Sequence, residues 1–193
     1  LTDPRVTEKL INGYGRVIHC AGLVGGILAN KTRPAEFFYQ NALQGINTLH
    51  YSYKSGTVKK YVGLAAGCGY PKNLEAPFRE DKFWDGYPDE NSYAYSLAKK
   101  NLIIQARAYK DQYSFNSTIL LPANLYGPYD NFDLNSSHVV PALIRKFVEA
   151  EQRREDEVVV WGSGNSSREF IYVENTAKAV VDAAYNDAGV GPY

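Results

Sequence analysis

Apolar and polar positions along this chain change period several times. Residues 16–20 (RVIHC), 60–65 (KYVGLA) and 117–121 (STILL) are short apolar runs bounded by turn residues, the pattern of strands buried in a parallel sheet. Between them, over about 34–53 and from 91 onward, apolar residues recur every three to four positions, which lines one face of a helix. A first helix is expected over 4–12. Asp3 caps it, and Pro4 occupies its first position, where a missing N–H costs nothing. Strand, helix, strand, helix, strand predicts an α/β fold built on a Rossmann-like, doubly wound parallel sheet. Ligands of such sheets lie beyond the carboxyl ends of the strands. Residues 21–27 (AGLVGGI), 66–71 (AGCGYP) and 122–130 should therefore face one crevice.

The rhythm changes after residue 130. Ser136 and Ser137 are expected to cap a helix with His138 and Pro141 in its first turn, running to about Glu151. The charged run EQRREDE reads as a solvated helix end or loop. Residues 158–161 (VVVW) and 170–173 (FIYV) read as strands and 175–185 as a helix.

Composition narrows the function classes. With 193 residues the chain is long enough for one full core and part of a second. Lys+Arg and Asp+Glu balance at 21 each, so nothing favours nucleic acid or an acidic membrane as partner. No apolar run approaches the roughly 20 residues of a membrane span. Two cysteines, Cys20 and Cys68, do not suggest a disulfide framework, and a reducing cytoplasm is the simplest location. The opening LTDPRV, in a chain without methionine, reads as the exit from a strand. An internal piece of a longer protein is expected.

The candidate chemistry centres on residues 91–99 (NSYAYSLAK). Tyr95 and Lys99 are four apart, so a helix stacks them on one face. An adjacent ammonium favours the phenolate, which suits a tyrosine to acid–base work near neutral pH.

YSLAK does not stand alone. It is followed in order by ANLYGPYDNF, NSSHVVPALI, WGSG and REFIYV, and preceded by the CxYPK string at Cys68. Together these resemble the extended short-chain dehydrogenase/reductase family of nucleotide-sugar enzymes, from VIHCAGLVGGI to the final helix. The resemblance implies a partial dinucleotide-binding domain over 1–130 and a partial, interleaved nucleotide-sugar-binding region over 131–193. It implies NADP(H) as cofactor, a nucleotide-sugar substrate, no metal, and a homodimer when full length. The implied reaction is C3 and C5 epimerisation of GDP-4-keto-6-deoxy-D-mannose, then reduction at C4 by NADPH. Tyr95 would protonate the alkoxide, while Lys99 lowers its pKa and holds the nicotinamide ribose. Cys68 would be the epimerisation base and His138 the opposing acid, whereas His19 and His50 read as structural.

Binding positions carry over in the same way. Ala21, Gly22, Asn41, Pro122, Asn124, Leu125 and His138 are expected at the cofactor together with Tyr95 and Lys99. Val24, Gly25, Gly26, Asn124, Lys146, Trp161 and Arg168 are expected at the substrate, with Arg168 suited to a diphosphate. Asn41 has a plain alternative as helical packing, and Asn124 is expected at the end of a strand. Two departures stand out. The Gly-rich dinucleotide loop that opens the fold is absent, and Ala66 occupies the place of a Ser or Thr whose hydroxyl bonds the keto oxygen. Ala66 leaves open an epimerase or reductase of another nucleotide sugar, and a binding homologue with impaired catalysis.

Overall fold

In the computed structural model, which describes residues 1–134, 136–160, 162–165 and 167–186, the Asp3 carboxylate accepts the Arg5 amide at 2.9 Å and caps α1 (Pro4–Ile11). The chain continues through β1 (Arg16–His19), α2 (Ile27–Thr32), α3 (Pro34–Lys54), β2 (Lys60–Leu64), α4 (Tyr93–Tyr113) and β3 (Ser117–Leu120). These strands form one parallel sheet in the order β1-β2-β3. Next come β4 (Asn124–Tyr126), α5 (Val139–Arg153), β5 (Phe170–Tyr172) and α6 (Val173–Tyr185), with β4 and β5 paired in parallel as a second, small sheet.

Side-chain alternation along β2 divides the core between the two faces of the sheet. Tyr61 packs with Leu49 from α3 and with Leu102 and Ile103 from α4. Val62 and Leu64 turn the other way and meet Val180, Ala183 and Ala184 of α6. Helices thus cover both faces, as a doubly wound sheet requires. Between Tyr61 and Val62's neighbours sits Gly63. A Cβ there would lie 2.9 Å from Leu102, 3.0 Å from Ile119 and 3.0 Å from Tyr61, so α4 rests on the sheet at a distance that only glycine permits.

The structure corrects several sequence expectations. Residues 158–160 form no strand; an apolar run supplies no ladder partner, and the Val159 carbonyl is taken by the Lys146 side chain at 2.9 Å. Asn124 opens β4 instead of ending the preceding strand. Pro122 separates the two, having no N–H with which to continue the ladder. The helix expected from Ser136–Ser137 begins at Val139, with His138 as its extended cap residue. Ser136 and Ser137 instead turn around Asp133, whose carbonyl accepts the Ser137 amide at 2.8 Å. Helix α2 was not legible at all, because glycines hide its start. Asn30 closes that turn from inside, donating to the Gly25 and Gly26 carbonyls at 2.8 and 3.1 Å.

Gly63→Ala should lower stability by about 1–3 kcal/mol through overpacking, read as a lower urea midpoint. Gly15→Ala, where a Cβ would meet nothing within 4 Å, is the control and should move the midpoint far less.

Candidate active site

Seating α4 on β2 delivers its first turns to the carboxyl end of the sheet. Lys99 is only 7% exposed, and its ammonium donates to the carbonyl of Leu64, the last residue of β2, at 3.3 Å. It stands 5.8 Å from the centroid of the Tyr95 ring, one turn earlier. Burial dominates the electrostatics here. It holds the Lys99 amine below its ordinary range and pushes the Tyr95 phenol well above its own, an effect that Lys99 does not offset. Tyr95 is thus a protonated phenol at neutral pH, the form able to give a proton. His19, buried behind the pair, is lowered to about 4 by desolvation and then by the Lys99 charge, so it stays neutral.

Three loops close on this pair. In the first, a Cβ on Gly22 would lie 3.1 Å from Asn41 Oδ1 and 3.3 Å from Lys99 Nζ, so the Gly-rich segment passes directly over the ammonium. Asn41 holds that segment. Its Oδ1 accepts the Leu23 amide at 3.1 Å, and its Nδ2 donates to the Leu23 and Phe37 carbonyls at 3.0 and 2.8 Å. The Asn41 amide, expected at the cofactor, is therefore committed to backbone and acts on the cleft only through the loop.

The second loop is the short 3₁₀ turn Gly67–Gly69, which carries Cys68. Ser96, the residue after Tyr95, donates to the Cys68 carbonyl at 3.0 Å. Cys68 is open to solvent at the cleft, yet the walls crowding its thiol push it up. The Lys99 charge pulls it part of the way back. A Cβ on Gly67 would stand 3.6 Å from the Pro122 carbonyl, which joins the end of the β3 connection to the same wall. The third loop brings His138: the carbonyls of Ser137 and Ser136 lie 3.5 and 3.9 Å from where a Gly26 Cβ would be. His138 itself is exposed.

Tyr95, Lys99, the Cys68 turn, Pro122 and the 21–26 loop, with Ala21 and Val24 exposed upon it, thus gather beyond the strand ends, and the segment before His138 meets that loop at Gly26. The sequence profile of the NAD dependent epimerase/dehydratase family matches residues 1–192. The chain belongs to that family. It is 46% identical over 165 residues to GDP-L-fucose synthase of Sinorhizobium fredii, covering 86% of this chain and 52% of that protein. To GDP-L-fucose synthase of Escherichia coli it is 40% identical over 166 residues, covering 86% and 51%. A GDP-L-fucose synthetase from Naegleria fowleri, solved bound to NADP, superposes with a TM-score of 0.83 at 32% identity, covering 93% of this chain and 59% of that one. The chain spans about half the length of the curated relatives it matches.

A nicotinamide cofactor fits the crevice of this family member. An ammonium carries three donors, and the contact described for Lys99 is a single long one to Leu64. The ammonium thus has donor capacity beyond that contact, beneath a loop whose close approach glycine permits at Gly22. Other expected binding residues sit apart from these contacts. Asn124 Nδ2 donates to the Glu169 carbonyl at 3.0 Å, Leu125 pairs with Ile171, Lys146 reaches Val159, and Arg168 donates to the carbonyl of Ser167 at 2.6 Å. Trp161 lies outside the described residues. Two neighbours escaped the sequence reading. Ser96 was hidden as one of the three residues that the Tyr95–Lys99 spacing leaves unspecified. Cys20 follows β1 into the crevice, close enough for the Lys99 charge to act on its thiol.

Replacing Asn41 by Leu should leave the Leu23 amide and carbonyl without partners. A loss of about 2 kcal/mol is expected, together with faster hydrogen exchange at the Leu23 amide and unchanged protection in β2.

Proposed function

We propose that this chain carries the catalytic half of a nucleotide-sugar epimerase/reductase of the GDP-L-fucose synthase type, acting on GDP-4-keto-6-deoxy-D-mannose with NADP(H). The observation that carries this reading is Lys99 standing beside Tyr95 on α4, with the Cys68 turn tied to the same helix through Ser96; His138, the α5 cap residue, follows a segment that meets the glycine loop over Lys99. A binding protein would need none of their proton chemistry.

In this reading Cys68 removes the proton beside the ketone, and the Lys99 field favours the thiolate that does so. His138, from a separate element, returns a proton to the opposite face, which is what inverts a carbon. Bound NADPH supplies the hydride for C4. Tyr95 then delivers its proton to the C4 oxygen, and its buried phenol is suited to the task because it is fully protonated beforehand. Lys99 orients the ribose and keeps a positive charge near the oxygen as it becomes negative. Arg168, exposed and bonded to its neighbour's carbonyl, is the group offered to the diphosphate. Lys146 is the group assigned to the nucleotide end.

Ala66 is the observation that favours a second reading, an enzyme acting on a related nucleotide sugar. It stands next to the Cys68 turn as the residue before Gly67 and has no donor for a keto oxygen. A donor aimed at an oxygen gaining charge contributes roughly 3–4 kcal/mol, two to three decades of rate.

With GDP-4-keto-6-deoxy-D-mannose and full-length protein, Cys68→Ser should slow exchange of the C3 and C5 hydrogens with deuterated water at least tenfold. Tyr95→Phe should impair hydride transfer while exchange persists. Wild-type exchange rates in Cys68→Ser would place the base elsewhere. Ala66→Ser should raise kcat with little change in KM; an unchanged or lower kcat would favour the second reading.

A further inference from the structure

Helix α4 presents a second pair of residues one step round from the first. Ser96 and Lys100 are again four apart, so they stack on a neighbouring stripe of the helix, about 100° from Tyr95 and Lys99. Both are buried, at 0% and 5% exposure. Ser96 holds the Cys68 carbonyl at 3.0 Å. Lys100 donates to the Phe83 carbonyl at 2.6 Å and lies over the Phe83 and Trp84 rings, 4.4 and 4.9 Å from their centroids.

A buried ammonium bonded to a carbonyl and two rings, with no carboxylate among these contacts, is a costly arrangement. What it secures is the loop that backs the Cys68 turn. Phe83 is fully buried, and a Cβ on Gly69 would lie 2.6 Å from its ring and 3.4 Å from Lys100 Cγ. Gly69 is thus pressed between the Phe83 ring and the Lys100 stem, directly after Cys68. Cys68 is gripped from one side through its own carbonyl and from the other through its neighbour. Both grips originate on the helix that carries Tyr95 and Lys99.

We propose that Ser96 and Lys100 are positioning residues for Cys68, setting it against Tyr95 and Lys99 so that one helix aligns both proton-transfer groups. The proposal rests on the reading of Cys68 as the epimerisation base. Ser96 is inside the protein and does not reach substrate; it acts through Cys68. The titratable groups whose fields meet the Cys68 thiol are Tyr95 and Lys99, both on α4, and Ser96 spends its one hydroxyl proton on the Cys68 carbonyl.

The test uses full-length protein carrying Ser96→Ala, Ser96→Thr or Lys100→Met. Alanine suits a helix interior, so the first variant retains the fold. Alkylation of Cys68 by iodoacetamide is followed against pH, with peptide mass spectrometry separating it from Cys20. Releasing the Cys68 carbonyl from Ser96 should let the turn move away from the Lys99 charge and shift the alkylation midpoint to higher pH. It should also slow C3/C5 hydrogen exchange on GDP-4-keto-6-deoxy-D-mannose by about five- to tenfold, the factor one hydrogen bond is worth. KM and NADPH binding should stay at wild-type values, because the Tyr95–Lys99 row is untouched. Ser96→Thr should restore both readouts, and Lys100→Met should slow exchange in the same way. An unchanged midpoint and exchange rate in Ser96→Ala would overturn the proposal, as would a loss of exchange that merely tracks lost NADPH binding. If the wild type exchanges nothing on this substrate while Ser96→Ala still shifts the midpoint, the positioning of Cys68 stands and the fucose-synthase reading fails.

Discussion

The closeness of α4 to the middle strand is the constraint on which the rest of the structure depends. Gly63 lacks a side chain because Leu102, Ile119 and Tyr61 already fill the place where one would be. Were the helix a few tenths of an ångström further out, the Lys99 bond to Leu64, already 3.3 Å long, would be lost, and with it the anchor at the sheet's carboxyl edge. Packing in the interior therefore sets the geometry of the crevice, since dense cores transmit displacement instead of absorbing it.

Once anchored, Lys99 organises the charge of the cleft. Burial weakens its hold on a proton, yet its charge reaches three neighbours: it adds to the desolvation that keeps His19 neutral, and both thiols are drawn downward against their own desolvation. The phenol of Tyr95 follows desolvation instead and stays protonated. One helix turn thus offers a group ready to give a proton beside a field that helps Cys68 to lose one, the division of labour that the proposed epimerisation and reduction would use.

The loops are held by side chains that do not themselves face the reaction. Asn41 copies a strand edge for Leu23 with donor and acceptor together, and Ser96 and Lys100 do the equivalent for the Cys68 turn from opposite sides. Backbone strung with glycine approaches ligands closely but carries little stiffness of its own. Rigid helices lend it theirs.

Local pattern alone determined the elements of the main sheet. Short apolar runs, period-four helices, the Asp3–Pro4 start of α1 and the spacing of Tyr95 and Lys99 are properties of a few adjacent residues, and they survive folding because nothing tertiary opposes them. The crevice at the strand ends was legible for the same reason, since parallel topology dictates it. Tertiary structure decided what depends on partners distant in sequence. Residues 158–160 lack a neighbouring strand, so their apolar run stays unpaired. Helix α2 forms because Asn30 reaches back to Gly25 and Gly26, a closure that no propensity announces. The Tyr95 phenol rises instead of falling because burial, invisible in spacing, outweighs a charge 5.8 Å from its ring. The sequence offered Asn41 as a cofactor contact and did not single out Ser96. Only the fold, by bringing Leu23 to one and Cys68 to the other, made them the clamps of the site.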